Sequence, residues 1–264
     1  MPFVVCDGGR LRVHADYFDL LQRHGLTTFA ALSQYNGGTV VRAVGPRQTQ
    51  RIVLAHKPGP PPQNTACYLK RHGPLPWREY LKCLLRCNWP VSGARPEWRA
   101  ILKFHAAGIP TMTPIAFGEH RGHSLLLTLG LEDSDDLKPL VRNASVGVLR
   151  TWSQELAGMT RRMHDAGLHH QDFYLNHVLA SRVDGSLRVI DLGRVRKRPH
   201  LSLRWIIKDL GQLNYSARTL PCRARLRFLR QYLGRPLCRA DRSLIRAIAL
   251  KAWWIDRHTR RRGL

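Results

Sequence analysis

Two aspartates, Asp172 and Asp191, are spaced and flanked in a way that suits transfer of a phosphoryl group. Asp172 ends the H-x-D sequence at residues 170–172, where an aspartate accepts a hydrogen bond from a substrate hydroxyl as that hydroxyl attacks phosphorus. Asp191 follows an apolar run at residues 187–190 and precedes Leu192-Gly193, the setting of a D-x-G aspartate that binds magnesium. Each motif is weak alone. Together they predict a catalytic base and a metal ligand.

Lys70 and Glu97 are candidates for positioning the phosphates of a nucleotide. Lys70 ends the apolar run at residues 66–70, and Glu97 falls in the first turn of a predicted helix. Kinases pair a strand lysine with a helix glutamate to hold phosphates. A solvated strand-end lysine and a glutamate that complements the helix dipole are the structural alternatives. Glu79 is the rival partner of Lys70.

Gly37 and Gly38 precede a predicted hairpin and leave room for backbone amides to approach a phosphate. A plain turn is the structural alternative and the more ordinary explanation, and the full G-x-G-x-x-G pattern is absent.

The elements that must position these residues change in type along the chain. Strands are predicted at residues 38–45, 49–55 and 65–70, with a loop at the proline-rich residues 58–62. A helix is predicted from Pro96 to about Gly108, then a strand at 124–129 and a linker or hinge loop at the acidic residues 132–136.

The second half of the sequence is mainly helical in pattern. Apolar residues recur at helical spacing from Trp152 to Met163, and the pattern ends at Gly167. Two short strands follow at residues 178–180 and 187–190, and helices are predicted from Ile206 onward.

We therefore expect an α+β, protein-kinase-like fold of two lobes. The expected divisions are an N-terminal flanking segment at residues 1–30 with an extra strand and helix, a strand-rich N-lobe at 31–131, and a helical C-lobe at 132–264 with basic C-terminal helices.

The sequence resembles the protein-kinase-like lipopolysaccharide kinases of the Kdo/WaaP family, and within it most the core heptose kinases. The resemblance covers residues 35–218. Its signature-like stretches are residues 68–73, 77–80, 90–94, 97–100, 108–111, 172–179 and 204–210.

The resemblance implies an ATP- and magnesium-dependent kinase that transfers the γ-phosphate to a hydroxyl of an inner-core heptose of lipopolysaccharide. It implies Asp172 as catalytic base, Asp191 as magnesium ligand, and the Lys70–Glu97 pair and the Gly37-Gly38 pair at the nucleotide.

The residue five positions after the catalytic aspartate carries much of the resemblance. It is His177, where heptose kinases have histidine and protein kinases have asparagine. Asn176 stands one residue short of the usual asparagine position, so either Asn176 or His177 is a candidate metal contact. The D-x-G sequence lacks the phenylalanine of D-F-G.

The charge of the chain requires an anionic partner. Lys and Arg number 43 and Asp and Glu 18, which gives a net charge of +25. Basic clusters at residues 194–198, 223–230 and 260–262 suit an anionic membrane surface and a lipid A-core acceptor. The last predicted helix has an apolar stripe with Trp253 and Trp254, which either packs on a core or lies on a membrane.

The predicted location is cytoplasmic, peripheral on the cytoplasmic face of the bacterial inner membrane. The first apolar stretch breaks off at Asp7, too early for a secretory signal, and no apolar run is long enough to span a bilayer. Six cysteines without a C-x-x-C pair suggest reduced thiols, with a small chance that Cys83 and Cys87 bind metal.

Three alternatives compete with a heptose kinase. One is a kinase of the same fold that acts on Kdo, another glycan or a protein. Another is a basic nucleic-acid-binding protein, although no zinc-finger, RRM or KH signature is present and no nucleic acid is expected as partner. The third is a kinase-fold protein that binds glycolipid without chemistry, which the retention of Lys70, Asp172 and Asp191 argues against.

Overall fold

The computed structural model describes residues 1–55, 64–74 and 93–261, which fall into two compact units. The first unit comprises residues 1–101 and 112–132, and the second comprises residues 102–111 and 133–264. The predicted loop at 58–62, the stretch at 77–80, most of the stretch at 90–94, and Glu79, Cys83 and Cys87 lie outside the described residues.

The first unit is built on a seven-stranded antiparallel sheet in the order β1-β2-β6-β7-β5-β4-β3. Its strands are β1 (Phe3–Cys6), β2 (Leu11–His14), β3 (Gly38–Val44), β4 (Arg47–Ala55), β5 (Asn64–His72), β6 (Pro114–His120) and β7 (His123–Leu129). The predicted hairpin and third strand are confirmed as β3, β4 and β5. Alternating apolar side chains on β4 and β5, including Ile52, Leu54 and Leu69, are fully buried.

The first 30 residues contribute directly to this sheet. The β1-β2 hairpin hydrogen-bonds to β6, where Val13 lies opposite Ala116. Helices α1 (Phe18–Arg23) and α2 (Phe29–Gln34) bury Leu20, Leu21 and Leu32 in the same core. The predicted extra strand and helix exist, with a second strand and a second helix beside them.

Helix α3 (Arg95–Ala106) is confirmed with nearly the predicted ends. It begins one residue before Pro96, and Gly108, two residues beyond its last residue, has a positive φ of 65°. The division into units cuts this helix after Ile101.

The second unit is mainly helical. Its helices are α4 (Leu137–Leu140), α5 (Val146–Asp165), α6 (Leu203–Ser216), α7 (Cys222–Leu233) and α8 (Arg242–Arg261). Short strands β8 (Ser134–Asp136), β10 (Val178–Ser181) and β11 (Leu187–Val189) form one sheet, and β9 (Leu168–His169) pairs with β12 (Arg196–Lys197). The predicted helix that ends before Gly167 and the two strands after it are confirmed.

The acidic stretch at residues 132–136 is not the predicted linker loop along its whole length. The boundary between the units falls after Glu132, but Ser134–Asp136 is a strand that pairs with β10. Its charges are neutralised within the second unit, since Asp133 lies 3.2 Å from Arg188 and Asp135 lies 2.6 Å from Arg182. Paired charges allow a strand where unpaired ones would favour a solvated loop.

The apolar stripe of the last helix packs on a core. Leu244, Ile245 and Ile248 of α8 join a cluster with Leu210 and Leu229. Trp253 and Trp254 stay about half exposed on the same helix. No helix in the described parts of the chain is long and apolar enough to cross a membrane. Within residues 1–55, 64–74 and 93–261, the four cysteines are free thiols.

Candidate active site

The first unit brings Lys70 and Glu97 together. Lys70 lies on β5, opposite Thr49 of β4 and Leu126 of β7. Its Nζ donates a hydrogen bond of 2.6 Å to Oε1 of Glu97, whose side chain is only 8% exposed. A carboxylate buried to this degree requires a cationic partner. The two residues therefore form the pair that their sequence positions predict.

The first turn of α3 is held against the sheet, which fixes where Glu97 points. The backbone N–H of Ala94, just before the helix, donates to Oγ of Ser124 on β7 at 2.9 Å. One residue after Glu97, the ring of Trp98 stacks on Phe117 of β6 with centroids 5.1 Å apart. These contacts on both sides of Glu97 position its carboxylate over Lys70.

Gly37 and Gly38 lie at the start of β3, and packing accounts for both. A Cβ on Gly38 would collide with the backbone oxygen of Arg51 on β4, and one on Gly37 would collide with the Tyr35 ring. Gly38 lies opposite Ile52, three residues along β4 from Thr49, the residue opposite Lys70. This separation is about 10 Å along the strand. A nucleotide contact for the two glycines stays a prediction.

The second unit holds the loop that carries Asp172 through one buried carboxylate. Asp209 of α6 accepts hydrogen bonds from the backbone N–H groups of His170 at 2.7 Å and Gln171 at 2.9 Å. Burial alone would raise the pKa of Asp209, but the hydrogen bond and charge of His164 and the contacts of His170 outweigh burial and lower it. Asp209 is therefore an ionised acceptor inside the protein.

Two further side chains of α6 hold the residues that follow Asp172. Gln212 accepts from the N–H of Phe173 at 3.0 Å and donates to the backbone oxygen of Gln171 at 2.8 Å. Ser216 Oγ accepts from the N–H of Leu175 at 3.0 Å. With Asp209, these residues recur three and four positions apart and thus share one face of the helix. That face fixes the backbone on both sides of Asp172.

Asp172, His177 and Asp191 form a cluster in which one ligand atom of each lies within 4.8 Å of the others. His177 ends a 3-10 turn (Leu175–His177) that also contains Asn176. Asp191 follows β11 with a left-handed backbone at φ 57°, and the N–H of Ile190 before it donates to the backbone oxygen of His177. The two predicted aspartates and the predicted histidine thus meet at one place.

The hydrogen bonds of His177 determine which ring nitrogen is free. Nδ1 lies 2.7 Å from the backbone oxygen of Asp172, and a carbonyl oxygen only accepts, so Nδ1 carries the hydrogen. In the neutral ring Nε2 is then a lone pair, 3.8 Å from Oδ2 of Asp191. A lone pair beside a carboxylate is stabilised by a cation between them.

His170 packs behind this cluster as a neutral ring. Burial lowers its pKa, and its Nε2 lies 3.1 Å from the backbone oxygen of Ile190, to which it donates. The ring is 6.0 Å from that of His177 and nearly parallel to it. The histidine of the H-x-D sequence therefore supports the aspartates and does not face a substrate.

Two cations stand beside Asp172 in the second unit. Arg194 lies 3.7 Å from Oδ2 of Asp172 and is largely exposed. Lys208 lies 3.4 Å from the side-chain oxygen of Gln171, and burial lowers its pKa. Positive charge at this place attracts phosphate.

Sequence reasoning missed the supporting residues Asp209, Gln212 and Ser216. A signal for them was present in the sequence. The three residues stand at i, i+3 and i+7, so they place three polar side chains on one face of an amphipathic helix. Residues 204–210 resemble the family in sequence, but that resemblance assigns no role to Asp209.

Comparison with known proteins agrees with this geometry. Residues 42–232 match the model of the lipopolysaccharide kinase (Kdo/WaaP) family. A curated relative from Pseudomonas aeruginosa, named lipopolysaccharide core heptose(I) kinase WaaP, is 38% identical over 72% of this chain and 76% of its own length. The protein of that name from Escherichia coli K12 is 32% identical over 91% of this chain and 95% of its own length.

A solved structure supports the fold. WaaP in complex with acyl carrier protein superposes with a TM-score of 0.69 at 30% identity, and covers 96% of this chain and 98% of that one. The α+β, kinase-like fold predicted from the sequence is confirmed. Family membership implies a phosphotransferase that uses ATP. The chain belongs to the lipopolysaccharide kinase (Kdo/WaaP) family.

Proposed function

We propose that this protein transfers the γ-phosphoryl group of ATP to a hydroxyl of heptose I in the inner core of lipopolysaccharide, with Mg²⁺ as cofactor. The relatives described above are named for phosphorylation of that sugar. The observation that carries the proposal is the cluster of Asp172, His177 and Asp191, which provides a base and a cation site in one loop region.

The residues of the cluster take separate roles. Asp172 accepts the proton of the heptose hydroxyl while the new bond from that oxygen to phosphorus forms and the bond to the β-phosphate oxygen breaks. Arg194, beside Asp172, attracts the transferred phosphoryl group. The Lys70–Glu97 pair of the first unit supplies a cation for the phosphates of ATP, as in other kinases.

The donor atoms fit a divalent cation. Two carboxylates are ligands that Mg²⁺ prefers, and the lone pair on Nε2 of His177 adds one nitrogen, which suits Mn²⁺ at least as well. Asp191 and His177 would hold the ion, which neutralises phosphate charge when bound. Asn176 stays a candidate ligand from the same turn.

We also keep residues 31–131 and 132–264 as the proposed N-lobe and C-lobe.

The test follows labelled phosphate from ATP to lipopolysaccharide whose core phosphate has been removed. Wild type is compared with Asp172→Ala and with Asp165→Asn, a matched loss of one carboxylate at an exposed site of the same unit. We expect label on heptose I with wild type and Asp165→Asn, and a fall of roughly a thousandfold or more with Asp172→Ala.

Other outcomes identify the alternatives. Label on Kdo, another glycan or a protein, with none on heptose, would replace the acceptor but keep the kinase. Full transfer by Asp172→Ala would overturn the role of Asp172. Absence of ATP binding would leave a glycolipid-binding or nucleic-acid-binding protein of kinase fold.

An acyl carrier protein is a proposed partner, since the WaaP structure described above contains one. The second unit has an apolar cavity of about 520 Å³, bordered by Leu149, Leu156, Leu210 and Leu229 among other residues. A cavity of this size and lining is suited to an acyl chain. We therefore expect the acyl-loaded carrier to bind more tightly than the unloaded one.

Binding of purified carrier protein tests the partner. Leu149→Trp should narrow the cavity and weaken the acyl-loaded carrier selectively, while Val148→Trp, at an exposed neighbour, should not. Equal affinity for both carrier forms, in wild type and in Leu149→Trp, would rule out the cavity as the acyl site.

An anionic membrane is the second proposed partner, with location on the cytoplasmic face of the inner membrane. The support is the charge of +25 and the half-exposed apolar residues Leu250, Trp253 and Trp254 on α8, beside Arg257. Vesicles with phosphatidylglycerol should bind the protein, and Trp253→Ser with Trp254→Ser should weaken that binding. Equal binding to neutral vesicles would overturn the electrostatic part of the proposal.

A further inference from the structure

A second cavity in the second unit, of about 380 Å³, has three arginines in its lining. These are Arg218, after the end of α6, Arg225 on α7 and Arg260 on α8. One acidic residue, Asp256, shares the cavity and pairs with both Arg218 and Arg260. Three positive charges against one negative leave the cavity with a net charge of about +2.

Arg225 is the arginine of this cavity that has no acidic partner among the described residues. Its Nη1 donates to the neutral side chain of Asn214 at 2.9 Å. Its Nε is buried, with no hydrogen-bond partner among the described residues. Buried donors are nearly always paired, so an acceptor is expected at this guanidinium. The planar donor group of arginine fits two oxygens of a phosphate.

Aromatic rings make the cavity suitable for more than a bare anion. Tyr215 and Trp253 line it beside the arginines, and the guanidinium of Arg218 lies 4.8 Å from the centre of the Tyr215 ring. Aromatic faces pack against the apolar faces of sugar rings. The volume of about 380 Å³ exceeds what one phosphate fills and admits a sugar with its phosphate.

The cavity lies next to the catalytic loop within the same unit. The ring of Tyr215 meets the ring of Tyr174 edge-on, with centroids 6.3 Å apart. Tyr174 comes two residues after Asp172 and is hydrogen-bonded to the backbone oxygen of Asp172 through its own N–H. A ligand that contacts Tyr215 is therefore close to the residues that position the catalytic base.

We propose that the cavity of Arg218, Arg225 and Arg260, with Tyr215 and Trp253, binds a phosphorylated sugar of the acceptor glycolipid and so orients the heptose toward Asp172. This inference rests on the proposed function and adds a recognition site to it. The arginines recognise the phosphate, and the two rings contact the sugar.

Kinetics with matched acceptors test the site. The acceptor is lipopolysaccharide without core phosphate, used either with its lipid A phosphates or after their removal. Arg225→Gln and the exposed Arg260→Gln should each raise the KM for the phosphorylated acceptor roughly tenfold, with the KM for ATP and kcat nearly unchanged. With the fully dephosphorylated acceptor, wild type and variants should have the same KM.

The matched control is Arg230→Gln, which removes the same charge from an exposed position of α7 outside the cavity. It should leave the KM for the acceptor within about twofold of wild type. An equal rise in Arg230→Gln, or a rise that persists with the dephosphorylated acceptor, would overturn the site.

Direct binding separates this inference from the proposed function. Glucosamine 1-phosphate, inorganic phosphate and phosphatidylglycerol vesicles are titrated by calorimetry or cosedimentation against wild type and Arg225→Gln/Arg260→Gln. Selective loss of glucosamine 1-phosphate binding supports the site even if heptose is not the acceptor. Equal loss of all three probes indicates a general anion site and overturns the sugar recognition. Unchanged binding of all three overturns the site as a whole.

Discussion

The ring nitrogen Nδ1 of His177 lies 2.7 Å from the backbone oxygen of Asp172, five residues earlier in the chain. This bond joins the two ends of the loop from Asp172 to His177 and leaves Nε2 facing Oδ2 of Asp191, 3.8 Å away. His177 therefore holds the backbone of Asp172, and under the proposed function its second ring nitrogen would be a ligand for a cation.

Replacement of His177 by phenylalanine tests the two ring nitrogens while an aromatic ring stays at this position. His177→Phe keeps the packing against His170 but removes both nitrogens. We expect the concentration of Mg²⁺ or Mn²⁺ needed for half-maximal activity to rise roughly ten- to a hundredfold. Electron paramagnetic resonance of bound Mn²⁺ measures the affinity without turnover. His200→Phe, at an exposed position, is the control, and unchanged Mn²⁺ affinity in His177→Phe would contradict the assignment.

Asp209 is expected to act on catalysis through the loop and not through substrate. Asp209→Asn places an amide group against one of the two N–H donors of His170 and Gln171. The loss of one buried acceptor should reduce the free energy of unfolding by about 1–3 kcal/mol. It should also lower kcat, with little change in the KM for ATP. Urea unfolding and steady-state kinetics measure both, with Asp165→Asn as the exposed control. A stability loss without any fall in kcat would limit Asp209 to a purely structural role.

Motifs in the sequence were enough to predict the residues that meet in space. Lys70 with Glu97, and Asp172 with Asp191, each have a typical flanking pattern, because strand ends and helix starts have strong local signals. The fold class followed from the order of strands and helices.

Local sequence patterns do not predict contacts between residues that lie far apart in the chain. The pairing of β2 with β6 joins segments about a hundred residues apart, and no short pattern specifies which strands pair. The strand at Ser134–Asp136 has no local signal, because acidic residues are unfavourable in a strand until a partner such as Arg182, which pairs with Asp135, neutralises them. The hydrogen bonds of Asp209 reach back 38 and 39 residues to the catalytic loop, a distance at which spacing carries no information.

The Lys70–Glu97 pair can be tested by a double-mutant cycle. Lys70→Met should lower kcat/KM for ATP by roughly two to three orders of magnitude and destabilise the protein, because it leaves Glu97 buried without a cation. Adding Glu97→Gln should restore much of the stability but none of the activity. The activity loss in the double variant should thus be no larger than in Lys70→Met.

The control for this cycle is Arg99→Gln, which removes a charge from the exposed side of α3. It should change neither stability nor kcat/KM measurably. Recovery of activity together with stability in the double variant would mean that Lys70 has a structural role only.

Stability should fall as the pH drops from about 6.5 to about 4, because buried histidines, among them His72, His169 and His170, resist protonation in the native state. Burial, with the charges of Arg47 and Lys70, lowers the pKa of His72 to about 4, and burial lowers that of His169 to about 4. Between pH 4 and 6.5 the unfolded chain binds more protons at these sites than the folded one, so acid favours unfolding.

Melting curves of wild type at pH 7 and pH 5 measure the effect. His72→Gln removes one of these titrating groups and should reduce the fall in Tm, while His200→Phe, at an exposed position, should leave it unchanged. An identical pH dependence in His72→Gln and wild type would show that His72 is protonated as readily in the folded protein as in the unfolded chain.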